Sequence, residues 1–468
     1  MTRADMLPLP GRPGPAPRVS VPLPHVSPAL RRFLATEAGS ALLLLSATLT
    51  ALVWVNVPHA GYTTFWSTTA SINVGGHVMA LDLQHWVNDA AMAIFFCVVG
   101  LEISREVTVG ELHNPRAVVV PALGAVGGLA LPALIYLAIN PSGPANAGWG
   151  VPMSTDTAFL VGVLALFGPR CPDQLRLFLL TLAIVDDIGA IVVLGLFYSD
   201  GLSVRALVVA GALVAVLVYL RRAGVWQLAP YVLVGLALWV AVYVSGVHPT
   251  LAGVLVGLIV PAARAEPEQR ERVFFFYGRA LIERADAARL RLTTTAARAT
   301  VSANDRLQDA LHPMSAFLIV PVFGLANAGV SLSGDTLRRA ATSPVTLGVI
   351  AALLIGNAVG ITAGATLALR TGLGTLPGRV RYGHLIGGAV LAGIGFTISL
   401  FIADLAFDDP LLRDEAKIGI LAGSLLAAII GSLLLRYLGE RLPLCTIDDD
   451  AGPPPLPEGP WLDPDLPA

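Results

Sequence analysis

The chain has 468 residues, of which 55% are hydrophobic and only 13% charged, with a formal net charge of −2. Soluble domains carry about 25% charged residues, so this composition excludes an ordinary soluble domain and points to a chain built for a bilayer. The near-zero net charge says nothing about partners; the positions of the charges do.

In chain order, residues 1–32 are rich in Pro and Arg and lack a continuous apolar stretch, which predicts a disordered cytoplasmic tail and not a cleaved leader. About twelve apolar spans follow, most of them near the roughly 20 residues that a bilayer demands. They centre on 36–56, 84–104, 117–138, 150–167, 175–198, 205–221, 228–246, 249–262, 313–330, 345–369, 383–406 and 416–437. Basic loops carrying Arg31, Arg105, Arg170, Arg221 and Arg370 alternate with charge-poor ones such as PSGPANAG. That alternation predicts an even number of spans with both termini cytoplasmic, Arg338 and Arg339 being exceptions. One sizeable insertion, 264–311, interrupts the membrane part, 33–441; a solvated linker is its leading reading and a surface amphipathic helix the other. Residues 442–468 are Pro-rich and acidic and predict a second disordered tail. Cys97, Cys171 and Cys445 stand apart, a spacing that fits neither a zinc site nor paired bridges. The expected fold class is an all-α polytopic membrane protein.

The fifth span, 175–198, holds two adjacent aspartates, Asp186 and Asp187, in its middle. A carboxylate at that depth costs roughly 2.5–3.5 kcal/mol on insertion scales. Neighbours on a helix point about 100° apart, so no single partner hides both, and a shared polar cavity that binds a cation or a proton is the expected setting. The fourth span reads GWGVPMSTDTAFLVG, with Pro152 and two glycines ahead of Thr155 and Asp156; such a run predicts a broken helix whose free backbone groups line a cavity. The eleventh span is interrupted by Gly387, Gly388, Gly393 and Gly395, with Thr397 after them. Interrupted spans in two halves of a chain point to a transport site, whereas close packing by small residues is the alternative for those glycines. In the second span Asp89 lies toward one end, while Glu102 and Glu106, four apart and on one face, lie at the other. The two glutamates read equally as a cation-attracting funnel or an ordinary solvated helix end. His248 reads as a capping or packing histidine.

Taken together, WVNDAAMAIFFCVVGLEISRE, STDTAFLVGVLALFG, LAIVDDIGAIVVLGLFY, SGVHPTLAGV, FGLANAGVSL and GIGFTISLFIADLAF closely resemble the signatures of the NhaA-type sodium/proton antiporters, in that family's order. The resemblance runs from about residue 30 to residue 441. It implies inverted repeats with two broken, crossing helices, and a Na+(Li+)/H+ antiporter that expels sodium from the cytoplasm in exchange for protons, serving sodium and pH homeostasis. By the same resemblance Asp187 is the principal ion-binding and proton-carrying carboxylate and Asp186 its neighbour, both toward Na+. Thr155 and Asp156 sit at the first break, with Asp156 compensating positive helix ends, and Gly393 and Gly395 lie in the second. Glu102 and Glu106 correspond to the cytoplasmic funnel and pH response, with His312, and Asp89 to the outer funnel.

Two departures stand out. Where the family carries a lysine in the tenth span, this chain reads LLIGNAVGI, placing Asn357 at the lysine position; the chain's single lysine is Lys417. Asn357 donates a hydrogen bond but brings no charge, so Asp186 loses a salt-bridge partner. Ahead of the ninth span the chain reads RLQDALHP, with Gln308 and Asp309 in place of the expected residue types, which predicts an altered pH response. The expected partners are Na+ or Li+, H+ and the lipid bilayer, with a homodimer left open; no cofactor, nucleic-acid partner or enzymatic activity is expected. A sodium-coupled organic-solute symporter of similar fold and an inactive membrane sensor remain as alternatives.

Overall fold

In a bilayer every backbone N–H and C=O must be satisfied within the chain, and long Leu-, Val- and Ala-rich segments do this as helices. The computed structural model describes residues 37–74, 77–110, 115–167, 173–198, 202–263, 275–277, 279, 286–374 and 382–441. Both expected tails, 1–32 and 442–468, lie outside the described residues, as does most of 264–285.

Helix α1 spans Glu37–Asn56. A short helix, Tyr62–Trp66 (α2), leads into an antiparallel hairpin of β1, Thr69–Val74, and β2, His77–Asp82. Its register pairs Thr69 with Asp82 and Val74 with His77. Helix α3, Leu83–Thr108, follows, with a π turn at Trp86–Ala91. Next come α4, Pro115–Ile139, a 3-10 segment, Pro144–Met153, and α5, Thr157–Phe167. Helices α6, Asp173–Phe197, α7, Val204–Arg222, α8, Leu228–Ser245, and α9, Thr250–Ile259, complete the first half. Ala287–Thr300 forms α10, and α11 runs over Ala303–Asn327. After the small helix α12, Gly334–Thr342, come α13, Pro344–Arg370, α14, Tyr382–Leu391, α15, Phe396–Ala406, and α16, Pro410–Arg441.

Among the described residues nine helices are long and apolar enough to cross a membrane, and the pair α14–α15, bent by 45°, makes a tenth. The remaining two expected spans are short: α5 has 11 residues and α9 has 10. Length and composition therefore support ten crossings and leave the count of about twelve to the short segments. Residues 303–311, assigned from sequence to the insertion, continue into the ninth span as the first turns of α11, capped by the Ser302 hydroxyl, which accepts from Asp305 N at 3.0 Å.

Two apolar clusters organise the bundle. The larger gathers Phe178, Leu179, Leu353, Leu391, Ile394 and Phe401 around the breaks in the fourth and eleventh spans. The smaller holds α7, α8 and α9 to α3 and α11 through Leu101, Leu217, Leu238, Val256 and Leu307. On α7 only Ala210 and Leu217 are buried, so this apolar helix offers most of its surface to lipid.

Helices α4 and α13 approach until their backbones touch. A Cβ at Gly360 would run into the Gly127 carbonyl, one at Gly127 into the Gly360 carbonyl, and one at Gly364 into the Leu123 carbonyl. Without a hydrophobic force between helices in lipid, such small-residue seams carry the packing. Replacing Gly360 by Val is expected to part α4 from α13 and cost about 1–3 kcal/mol. The check is detergent thermal unfolding with membrane yield, where an unchanged transition would show that the seam is not in contact.

Candidate functional site

The sequence STD, Ser154 to Asp156, sits between the end of the 3-10 segment and the start of α5, in extended backbone. Pro152 cannot continue the hydrogen-bonding pattern, and Thr and Asp favour the N-cap region of the helix that follows. Asp156 caps α5 through Phe159 N, which donates to its Oδ1 at 3.0 Å. Its other oxygen, Oδ2, accepts from Thr397 N at 2.9 Å and also from the Thr397 hydroxyl. Thr397 opens α15, so one carboxylate lies between two helix N-termini and offsets both partial positive ends.

The second break, Ala392 to Gly395, meets the first. Asp156 N donates to Ile394 O at 2.6 Å, and the Thr155 hydroxyl donates to Ala392 O at 2.8 Å. The two interrupted spans therefore cross at their breaks. The glycines of the eleventh span divide by task. A Cβ at Gly395 would lie 2.8 Å from Ser154 O, so this glycine admits the crossing, whereas one at Gly393 would strike the Leu353 carbonyl of α13, so that glycine lets the break pack on α13. Gly387 and Gly388 face Leu435 and Leu179, which is ordinary close packing.

The aspartate pair of α6 is brought to the same place. Asp186, 2% exposed, accepts from Thr155 N at 2.6 Å. Asp187, 7% exposed, has a buried Oδ1 with no hydrogen-bond partner. The negative charges that bear on it electrostatically are those of Asp186, Glu102 and Asp156. A buried carboxylate oxygen without a protein donor is costly, and a proton or a hard cation with oxygen ligands would satisfy it.

Asn357 is fully buried in α13, immediately after a π turn at Ala352–Gly356. There Asn357 N bonds to Ala352 O, which leaves the Leu353 carbonyl without its regular α-helical donor; the Asn357 side chain supplies one, with Nδ2 at 3.3 Å. Its Oδ1 has no partner, and no hydrogen bond joins Asn357 to Asp186 among the described residues. Both residues nonetheless adjoin the second break. Leu353 touches Gly393 and Gly395, while Asp186 is bonded to Thr155, which holds Ala392.

At the far end of α3, Glu102 Oε1 accepts from Gln308 Nε2 at 3.4 Å. Arg105 reaches Gln308 Oε1 at 3.4 Å and Asp305 at 3.8 Å. Gln308 thus faces the glutamate, while His312 is exposed one turn further along α11. Glu106 is half-buried. At the other end of α3, Asp89 is buried in the π turn, where Trp239 Nε1 donates to its backbone oxygen at 2.9 Å. His248 packs its ring edge-on against Phe401 at 5.8 Å.

Some polar residues at these sites were not among the predicted site residues. Thr397 holds Asp156, and its only sequence signal was its place after the GIG break. Asn327 joins Asn88 at 2.8 Å and Gln84 at 2.9 Å beside the π turn of α3; the polar LAN run in an apolar span was its signal.

Comparison with known proteins adds a consistent set. The family model described as Na+/H+ antiporter 1 matches residues 31–435. The Na(+)/H(+) antiporter NhaA 3 of Frankia alni is 63% identical over 456 residues, covering 97% of this chain and 98% of that protein. The Na(+)/H(+) antiporter NhaA 1 of Mycolicibacterium vanbaalenii is 46% identical over 402 residues, 86% of this chain; the match spans 65% of that longer relative. The Na(+)/H(+) antiporter NhaA of Oleidesulfovibrio alaskensis is 42% identical, covering 91% of this chain and 97% of its own.

Proposed function

The chain belongs to the Na+/H+ antiporter 1 family, and from that premise we propose that it exchanges cytoplasmic Na+ or Li+ for external protons by alternating access, in sodium and pH homeostasis. The observation that carries this reading is the Asp187 oxygen, buried and without a protein donor, beside Asp186 and the crossed breaks. One site that holds either a proton or a hard cation gives exchange without any further device: Na+ entering from the cytoplasm displaces protons from Asp187, assisted by Asp186, and protons displace Na+ on the other side. The two carboxylates titrate as a coupled pair. Thr155, Asp156 and the carbonyls of the breaks hold the frame within which the ion moves.

The chain acts as a transporter, not an enzyme, in the cytoplasmic membrane with both termini on the cytoplasmic side. Glu102, Glu106 and His312 form the cytoplasmic approach and set the pH response, supported by Gln308, which donates to Glu102. Asp89 acts on the outer side from a buried position. A homodimer is the proposed assembly, consistent with the two open edges of the β1–β2 hairpin. The names of the relatives speak of Na+/H+ antiport and lend nothing to the symporter or sensor readings.

The test uses everted vesicles with an acidic lumen. Addition of Na+ outside is expected to raise lumen pH as protons leave. No pH change on adding Na+ or Li+, with the protein present in the vesicles, would refute the antiporter.

A further inference from the structure

Helix α15 is held at both ends by charge. At its start, Thr397 N and hydroxyl meet Asp156. At its finish, Asp404 lies in the last turn, with its side chain 7% exposed and its Oδ1 2.8 Å from Lys417 Nζ on α16; the lysine side chain is 6% exposed. A carboxylate in the last turn of a helix opposes the negative end of the dipole, so Asp404 is an unfavourable residue there unless a cation is bound to it. A second cation of α16 sits on the same helix end. Arg413 donates from Nε at 3.1 Å and from Nη2 at 2.7 Å to the oxygen of Phe407, the residue that closes α15, and its Nε lies 3.8 Å from Asp404. The platform carrying both cations is itself tied down: the Ser343 hydroxyl donates to the Glu415 carboxylate at 2.5 Å, and the Thr346 hydroxyl to Glu415 O at 2.8 Å. This fixes the first turns of α16 to the start of α13.

An 11-residue helix is a stiff rod of about 16 Å at 1.5 Å rise per residue. A tilt at its far end displaces its near end, where Thr397 must meet Asp156. We propose that Lys417, the one lysine of the chain, is a positioning residue of the ion site: through Asp404 it clamps the end of α15 and so sets the Thr397–Asp156 contact at the crossing. Among the described residues the ion pair of Lys417 is with Asp404 of α15, so its action on the ion site runs through that helix. The inference rests on the antiporter reading above.

The experiment measures apparent KM for Na+ and maximal exchange rate in matched vesicles, together with the amount of inserted protein. Lys417→Met leaves the buried Asp404 with only the longer contact to Arg413, at 3.8 Å, and is expected to raise KM about tenfold, while Lys417→Arg stays within about twofold of the parent. Removing one member of a buried pair is also destabilising. The double variant Asp404→Asn/Lys417→Met therefore keeps the test independent of folding: it orphans no charge and is expected to insert normally with KM still raised. A double variant with normal amount and parental KM would overturn the proposal, because the pair would then serve folding alone. If the parent itself shows no Na+-driven proton movement, the antiporter reading fails and not this inference alone.

Discussion

Asp187→Asn is expected to abolish Na+-driven proton release while the protein still inserts and folds. The substitution keeps the shape of the side chain but removes both the negative charge that binds a cation and the group that takes up a proton. Structure is retained because, among the described residues, the Asp187 Oδ1 receives no hydrogen bond, so no protein donor loses that acceptor. The contrast is Asp156, whose two oxygens accept from Phe159 N, Thr397 N and the Thr397 hydroxyl. Asp156→Asn would disturb two helix ends at once and would mix a folding defect with a transport defect. The measurement is the everted-vesicle assay at matched protein amount, with Na+ and Li+ each tested across pH. Parental exchange in Asp187→Asn would remove Asp187 from the role of proton and ion carrier and leave Asp186, bonded to Thr155 N, as the group to examine.

How much of this site the chain announces depends on the kind of residue. Charges inside apolar spans are conspicuous because lipid forbids them without a reason, so Asp156, Asp186 and Asp187 stand out from sequence, and the structure gathers them. Breaks flanked by Pro152 or by Gly393 and Gly395 are equally legible, since those residues interrupt a helix for backbone reasons. Polar residues whose meaning depends on a distant partner are not legible. Thr397 looks like any small residue after a glycine until the fourth span is laid across it. Asp404 looks like the solvated end of a span until Lys417 arrives from the next helix at 2.8 Å. The π turns at Trp86–Ala91, Ser315–Ile319 and Ala352–Gly356 carry no local signature, yet the last of them explains how Asn357 spends its amide group. The hairpin was there to be read: ASINV and HVMAL flank two glycines, a turn signal between β-prone runs. The apolar spans on either side dominate the pattern and mask that signal. The ninth span begins earlier than hydropathy places it because the first turns of α11 pack Asn304, Leu307 and Gln308 against the end of α3, a tertiary cause that no local window contains.

Asn357→Lys is expected to move the pH profile of exchange toward acid. The position lies one helical turn beyond Leu353, whose backbone and side chain touch the second break, and Asp186 reaches that same break through Thr155 and Ala392. Gly128 of α4 packs beside Asn357, whose Oδ1 lies 3.4 Å from where a Cβ on Gly128 would stand. A lysine side chain is long enough to extend past that glycine. An ammonium about 4 Å from a carboxylate is worth roughly 4 kcal/mol at an effective dielectric of 20, before desolvation. Its sign is fixed: a fixed cation favours the ionised form of the aspartate pair, so a proton competes less well and Na+ displaces it at lower pH. The shift therefore runs to acid; the same ammonium also repels Na+, so at high pH, where no proton competes, apparent Na+ affinity is expected to fall. Burying an ammonium in place of an amide is costly unless it finds its carboxylate, so inserted amount is measured alongside rate. Asn357→Met is the control: it also gives up the bond to the Leu353 carbonyl but adds no charge, and its profile is expected to stay with the parent. Overlapping profiles for Asn357→Lys and the parent, at equal amounts of protein, would place Asn357 outside the electrostatic reach of Asp186. An acid shift in the Met variant as well would assign the effect to the freed Leu353 carbonyl instead of to charge.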